Sequence, residues 1–282
     1  MAEEIKEKMV EEETPEKQLE EMEKIEEARE KAEDEKVSKE ADKRFKAEEG
    51  RSENIRLTRE ERFAREAQEK LNSWVPKTEL GRMVRAGKYK NIDEVLDEGR
   101  KIMEPEIVDL LIPNLTTDTL FIGQAKGKFG GGKRRAFRQT QKKTKEGNVL
   151  TFGVMAVVGD GKGHVGIGYG RAAETLPAKE KAIRKAKLAV MKVNRGCASF
   201  DCSCNEPHSI PLTVSGKCSS VSVTLMPAPQ GTGLAVNDEL KKILRAVGIT
   251  DIYSKTSGKI RTTFNSAKAC IKALEKIGGI KL

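Results

Sequence analysis

Residues 149–170 read VLTFGVMAVVGDGKGHVGIGYG, and their pattern decides the fold. Phe152, Val154, Met155, Val157 and Val158 make a nearly continuous apolar run, as a strand covered on both faces requires. Gly159-Asp160-Gly161-Lys162-Gly163 is a turn, and after it Val165, Ile167 and Tyr169 alternate with glycines. The two runs are the arms of a β-hairpin. Glycines along one face of the second arm let a helix or another backbone come close.

The neighbours of the hairpin set its context. Downstream, residues 176–195 have helical spacing, with Thr175 near the start, Pro177 in the first turn and Gly196 as the stop. Ile183, Ala186, Val190 and Val193 form one stripe, while Lys181, Arg184, Lys185, Lys192 and Arg195 share another face. Upstream lie nine basic residues and no acidic one: Lys126, Lys128, Lys133, Arg134, Arg135, Arg138, Lys142, Lys143 and Lys145. Gly130 to Gly132 add backbone freedom, and only Phe129, Ala136 and Phe137 offer apolar surface, so the run calls for a polyanion to order it. RNA phosphate supplies that counter-charge, and the basic helix face reads as part of the same surface.

Charge is distributed unevenly along the 282 residues. Residues 1–70 carry 25 acidic and 17 basic side chains, whereas the remainder carries 19 and 36, so the folded part is strongly basic. The first 70 residues have Glu to Lys spacings such as Glu20 with Lys24 and Glu27 with Lys31, but only a thin apolar stripe. They read as a tail, disordered or a single helix. Residues 71–113 regain apolar anchors, among them Ile92, Val95, Leu96, Ile102, Ile107 and Val108. This arm docks either on its own domain or on RNA or a neighbouring protein. No run reaches the roughly 18–20 apolar residues of a membrane span and the N-terminus lacks an apolar export core, so a soluble cytoplasmic protein is expected.

Beyond the helix the chain enters a non-periodic connector, CASFDCSCNEPHSIP at 197–211, where a domain boundary is expected. Strands over 209–214 and 219–226, joined at Ser215-Gly216-Lys217, would open a second domain. A helix over 238–247, a short strand over 249–253 and a last helix over 265–277 would complete it.

Little here supports catalysis, since His164 and His208 are the only histidines and neither lies in a nucleophile or zincin motif, so an enzyme is not expected. Gly231-Thr232-Gly233 precedes a helix, but Leu234-Ala235 stand where a phosphate loop needs a lysine and a hydroxyl, so a tight turn is the better reading. The connector is richer. Cys197, Cys202, Cys204 and His208 fall within twelve residues, three thiols and an imidazole that match a tetrahedral zinc donor set, though not in the commonest C-x2-C spacing. Reduced connector thiols are the competing reading, Cys218 is an alternative fourth ligand, and Cys270 sits on an apolar helix face.

The segments VMAVVGDGKGHVGIGYG (154–170) and SVSVTLMPAPQGTGLAVNDELKKILRAVGITDIYSKTSG (220–258) resemble small-subunit ribosomal protein five, and WVPKTELGRMV (74–84) with PHSIP (207–211) resembles its archaeal and eukaryotic branch. The resemblance covers residues 71–282 and implies an α+β fold. It consists of a double-stranded-RNA-binding-like domain at 114–196, a Cys-rich connector at 197–205, and at 206–282 a second α+β domain with a left-handed βαβ crossover. It implies a structural role in the small ribosomal subunit, with contacts to small-subunit rRNA near the head and body junction. It further implies mRNA at the entry channel, and proteins three, four and eight, as neighbours, with an influence on decoding accuracy. The family's rRNA-binding loop matches Lys142, Lys143, Lys145, Glu146, Gly147 and Asn148, with Arg135 to Gln141 as the strand before it.

Overall fold

The computed structural model describes residues 59–124, 134–198, 200–204 and 206–279. Residues up to 58, which hold most of the charged tail, lie outside them. Helix α1 (Arg59–Ser73) carries an exposed i,i+4 pair between Arg65 and Glu69 at 3.2 Å. Residues 73–282 form one compact unit.

Three short helices open that unit: α2 (Glu79–Arg85), α3 (Ile92–Asp97) and α4 (Pro105–Leu111). Thr78 caps α2 by accepting the Gly81 N–H at 3.1 Å. Pro105 takes the first turn of α4, where its missing N–H costs nothing. Their apolar faces bury Leu80, Val84, Ile92, Val95, Ile102, Ile107, Val108 and Ile112 together with Val190 of the main fold. Two lysines tie the arm down: Lys187 bonds Asp109 at 2.6 Å, and Lys192 bonds Asp93 at 3.0 Å and Asp97 at 3.2 Å. Of the two docking modes open from sequence, packing on its own chain is therefore what this face does.

The first sheet contains β1 (Thr116–Leu120), β2 (Arg138–Thr144), β3 (Gly147–Gly159), β4 (His164–Ala172) and β5 (Val190–Lys192), all antiparallel where they pair. β1 and β2 share one edge of β3 in series, from Thr116 opposite Gly159 to Leu120 opposite Met155, then from Arg138 opposite Gly153 to Thr144 opposite Gly147. Between them the chain leaves and returns at a neck closed by the Gly123 N–H donating to the Arg135 carbonyl at 2.8 Å. β3 and β4 are the hairpin expected from the sequence. β2 starts and ends further along than expected, so Lys142 and Lys143 lie on the strand and the turn shrinks to Lys145-Glu146.

Helix α5 (Thr175–Leu188) lies across β3 and β4. It stops well short of Arg195, because the chain turns at Ala189 to add β5 to the sheet edge. The buried stripe is Ala178, Ala182 and Ala186; of the expected stripe only Ala186 belongs to it, since Ile183 is half-buried and Val190 and Val193 lie beyond the helix. The reason lies in β4: a Cβ on Gly166, Gly168 or Gly170 would run into the carbonyls of Ala186, Ala182 and Ala178 respectively, so only glycine against alanine allows this approach.

The other face of the sheet packs on the second half of the chain. Met155, Val157, Val165 and Leu120 share a core with Leu240, Ile243, Leu244 and Val247 of α6 (Asp238–Val247) and with Leu274 and Ile277 of α7 (Thr263–Gly278). The second sheet runs β6 (Val214–Cys218), β7 (Val221–Pro227), β9 (Ile252–Ser257), β8 (Leu234–Ala235), with β8 parallel to β9 and α6 as the crossover. The short strand expected over 249–253 lies later, as β9, and two further expectations fail. Residues 209–213 are not a strand, and Ser215-Gly216-Lys217 lies inside β6; the turn is at Ser219-Ser220, where Ser219 takes φ 56°. Gly216 is a close-approach residue instead of a turn former, since a Cβ there would strike Ala269 and Ala273 of α7.

Candidate nucleic-acid interface and metal centre

The basic residues divide by what surrounds them. Arg134, Arg135, Arg138, Lys142, Lys143 and Lys145 on or beside β2, and Lys181, Arg184 and Lys185 on α5, are exposed, and none pairs with a described carboxylate. Lys126, Lys128 and Lys133 lie outside the described residues. β2 reads RQTQKKT, polar on both faces, so the free arm of the hairpin has no core to join and projects charge from either side. Lys192 and Arg195, grouped with the basic helix face by sequence, do other work. Lys192 is held by Asp93 and Asp97, and Arg195 donates to the carbonyls of Gly161 and Gly248, both at 3.2 Å, and of Lys162 at 3.1 Å.

Nothing in the sequence singles out Arg171. It pairs across β3 with Gly153, which faces Arg138, so the two arginines flank one glycine in a row across three strands. Its Nη2 donates to Thr151 Oγ1 at 2.8 Å and Thr140 Oγ1 at 3.3 Å, fixing an exposed guanidinium beside the basic strand. Only the strand register exposes this relation.

The connector gathers its four donors. The Sγ atoms of Cys197, Cys202 and Cys204 and the imidazole of His208 all lie within 4.8 Å of one another. Cys202 Sγ is 2.9 Å from Cys204 Sγ and 3.5 Å from His208 Nε2, and Cys204 Sγ is 3.7 Å from Cys197 Sγ. The bond from Cys204 draws the Cys202 thiol down to about 6, and the same bond holds Cys204 up to about 11. Cys218, the alternative ligand, is on β6 and not in this group, and Cys270 is fully buried in the core, where burial pushes its thiol up to about 12.

His208 is buried against the second sheet, its Nδ1 3.0 Å from Asp251 Oδ2. Asp251 also accepts the Thr250 hydroxyl at 2.8 Å and, through Oδ1, the Gly233 N–H at 2.8 Å. The last bond decides the Gly231-Thr232-Gly233 reading. An N–H that a bound anion would need is already taken by a carboxylate, and both glycines have positive φ (88° and 72°), so this is a turn. At the far turn His164 lies between Asp160, 2.6 Å from Nδ1, and Asp93, 3.1 Å from Nε2. Among the described residues no helix is long and apolar enough to cross a membrane.

Two mainly antiparallel sheets covered by helices, with a hairpin whose outer strand carries exposed basic side chains, define an α+β protein. Two family profiles match it: ribosomal protein S5, N-terminal domain, over residues 135–194, and ribosomal protein S5, C-terminal domain, over residues 216–281. A protein of Nanoarchaeum equitans named small ribosomal subunit protein uS5 is 47% identical over 212 residues, 75% of this chain and 91% of the relative. Proteins of the same name from Staphylothermus marinus (45% identical; 73% of this chain, 89% of the relative) and Methanospirillum hungatei (44%; 75% and 96%) are similarly close. The chain belongs to the ribosomal protein S5 family, a family of structural ribosome components and not of enzymes.

Proposed function

We propose that the chain is a structural constituent of the small ribosomal subunit and that the β2–β3 hairpin, with the exposed face of α5, binds its rRNA. The observation that carries this is the contrast among cations. Lys187, Lys192 and Lys242 are each bonded to acidic groups of the chain, whereas Arg134, Arg135, Arg138, Lys142, Lys143, Lys145, Lys181, Arg184 and Lys185 face solvent without a described carboxylate. Phosphates complete them, with Lys126, Lys128, Lys133 and Arg171 in the same footprint.

In this reading 114–196 is a double-stranded-RNA-binding-like domain, 197–205 a connector, and 206–282 a second α+β domain whose β8–α6–β9 crossover is left-handed. Residues 71–113 are a docking arm and residues 1–70 a charged extension. The chain sits at the head and body junction beside proteins three, four and eight. It borders the mRNA entry channel of cytoplasmic ribosomes, where it supports assembly and decoding accuracy. Cys197, Cys202, Cys204 and His208 hold a structural zinc ion.

The RNA surface is tested by replacing Arg138, Lys142, Lys143 and Lys145 with alanine and measuring rRNA-fragment affinity against salt. The slope of log K against log salt should flatten by about 0.7–0.9 for each phosphate that is no longer neutralised. A variant that folds and keeps the parent slope would overturn the assignment.

A further inference from the structure

Among the described residues between Gly196 and Ser209, the loop has little apolar material to hold its shape. Phe200 is fully exposed, and the loop is closed by two hydrogen bonds between Gly196 and Ser209 at 3.0 and 2.9 Å, beyond which Ile210 enters the core. Ordering the loop backbone has an entropic cost that burial of this loop does not offset, so another interaction must stabilise it. Tetrahedral zinc with Zn–S near 2.3 Å and Zn–N near 2.0 Å sets sulfurs about 3.8 Å apart and sulfur from nitrogen about 3.5 Å. Cys204 to Cys197 at 3.7 Å and Cys202 to His208 Nε2 at 3.5 Å fit those edges; Cys202 to Cys204 at 2.9 Å must open by roughly 1 Å as the ion enters.

Resting on that zinc reading, we infer that Asp251 is the positioning residue of the centre and that the metal, through it, holds the 229–235 turn in place. A hydrogen on His208 Nδ1, donated to Asp251 Oδ2, leaves the Nε2 lone pair toward the thiols, so the carboxylate selects the metal-binding tautomer. The other oxygen of the same carboxylate accepts the Gly233 N–H, and the Gly233 carbonyl accepts Ile252 N–H at 3.2 Å, where the parallel β8–β9 pairing begins. The His208 carbonyl accepts the Thr250 and Asp251 N–H groups at 3.0 and 3.3 Å, so backbone and side chain move as one. Zinc on Nε2 therefore anchors an imidazole whose other end clamps the second sheet's edge, joining two segments that lie 43 residues apart at His208 and Asp251.

The experiment uses the full chain, purified without chelator. Metal analysis should return one zinc per chain, and Cys202→Ser should lose it. In competition with a chromophoric zinc chelator, Asp251→Asn should bind zinc about 10–100-fold more weakly, with Asp251→Glu recovering part of the loss. In the parent chain, stripping zinc should raise hydrogen exchange at the Gly233 amide as well as in residues 197–208, a measurement that needs no variant. A parent chain without zinc, or with a Cys202–Cys204 disulfide in its place, would overturn the zinc reading itself. A zinc-loaded parent chain whose affinity survives Asp251→Asn and whose Gly233 amide ignores the metal would leave that reading standing and sink the role of Asp251.

Discussion

The two ends of β3 are one strand under two sets of forces. From Gly153 to Gly159 every residue is buried, covered by α5 on one face and by the α6 core on the other; from Gly147 to Leu150 every residue is exposed, paired only with the polar strand β2. The base is held by packing and tolerates almost no added atom. The tip is held by its backbone ladder and the Thr144 hydroxyl donating to the Gly147 carbonyl at 2.8 Å, and it is the part of the strand bordered by cations without a described carboxylate partner. Stability and the proposed rRNA contact are thus separated along a single element, and substitutions that respect or ignore that division should sort themselves accordingly.

The largest effect is expected at the glycine face of β4. A side chain on Gly168 would enter the space of the Ala182 carbonyl and the Ala186 amide, backbone atoms that cannot turn aside. Gly168→Val should therefore destabilise by about 3 kcal/mol or more, read as a lowered midpoint of urea unfolding. A variant of near-parent stability would mean that α5 does not lie this close to the sheet.

A second contrast lies within β3 itself. Met155 is fully buried, so Met155→Ala should cost about 2–5 kcal/mol. Leu150, apolar but on the exposed tip, should change stability by less than about 0.5 kcal/mol when replaced by alanine. Equal losses from the two in chemical denaturation would show that the tip packs on something and would end the division between base and tip.

Much of this architecture can be read from pattern. The β3–β4 hairpin follows from apolar residues on either side of a glycine turn, and α6 from an apolar stripe ended by Gly248, which takes the left-handed conformation. What the pattern hides is pairing between distant segments. β1 reads TTDTL, too polar to suggest a strand, and is one only because it completes the edge of β3 beyond β2. Gly216 looks like a turn residue until α7 is seen lying on it. The four connector donors are close in sequence and so are visible there, but Asp251 is not, and neither are the partners that take Lys192 and Arg195 out of the basic surface. Charge is a property of a residue, whereas availability is a property of its neighbours.

The smallest effect concerns the turn at the buried end of β3, where the arm is fastened by charge. Burial disfavours the imidazolium of His164, but hydrogen bonds to Asp160 and Asp93 outweigh it and raise its pKa above 6.5. Burial likewise opposes the Asp160 charge, yet the bonds from His164 and from the Lys162 N–H hold that carboxyl down to about 2. Because the folded value for His164 is raised, its contribution is complete below about 6.5 and fades as pH climbs through the folded value, while Asp160 stays ionised throughout. Lys192, bonded to the same Asp93, keeps part of the fastening when the imidazole loses its proton, which limits the effect to less than about 1 kcal/mol. Melting temperature should therefore fall slightly between about pH 6 and 8 in the parent chain and not in His164→Gln. An NMR titration giving His164 a folded pKa at or below 6.5 would show that burial wins at this turn, and the arm would then owe its attachment to Lys187, Lys192 and the apolar contacts around Val190.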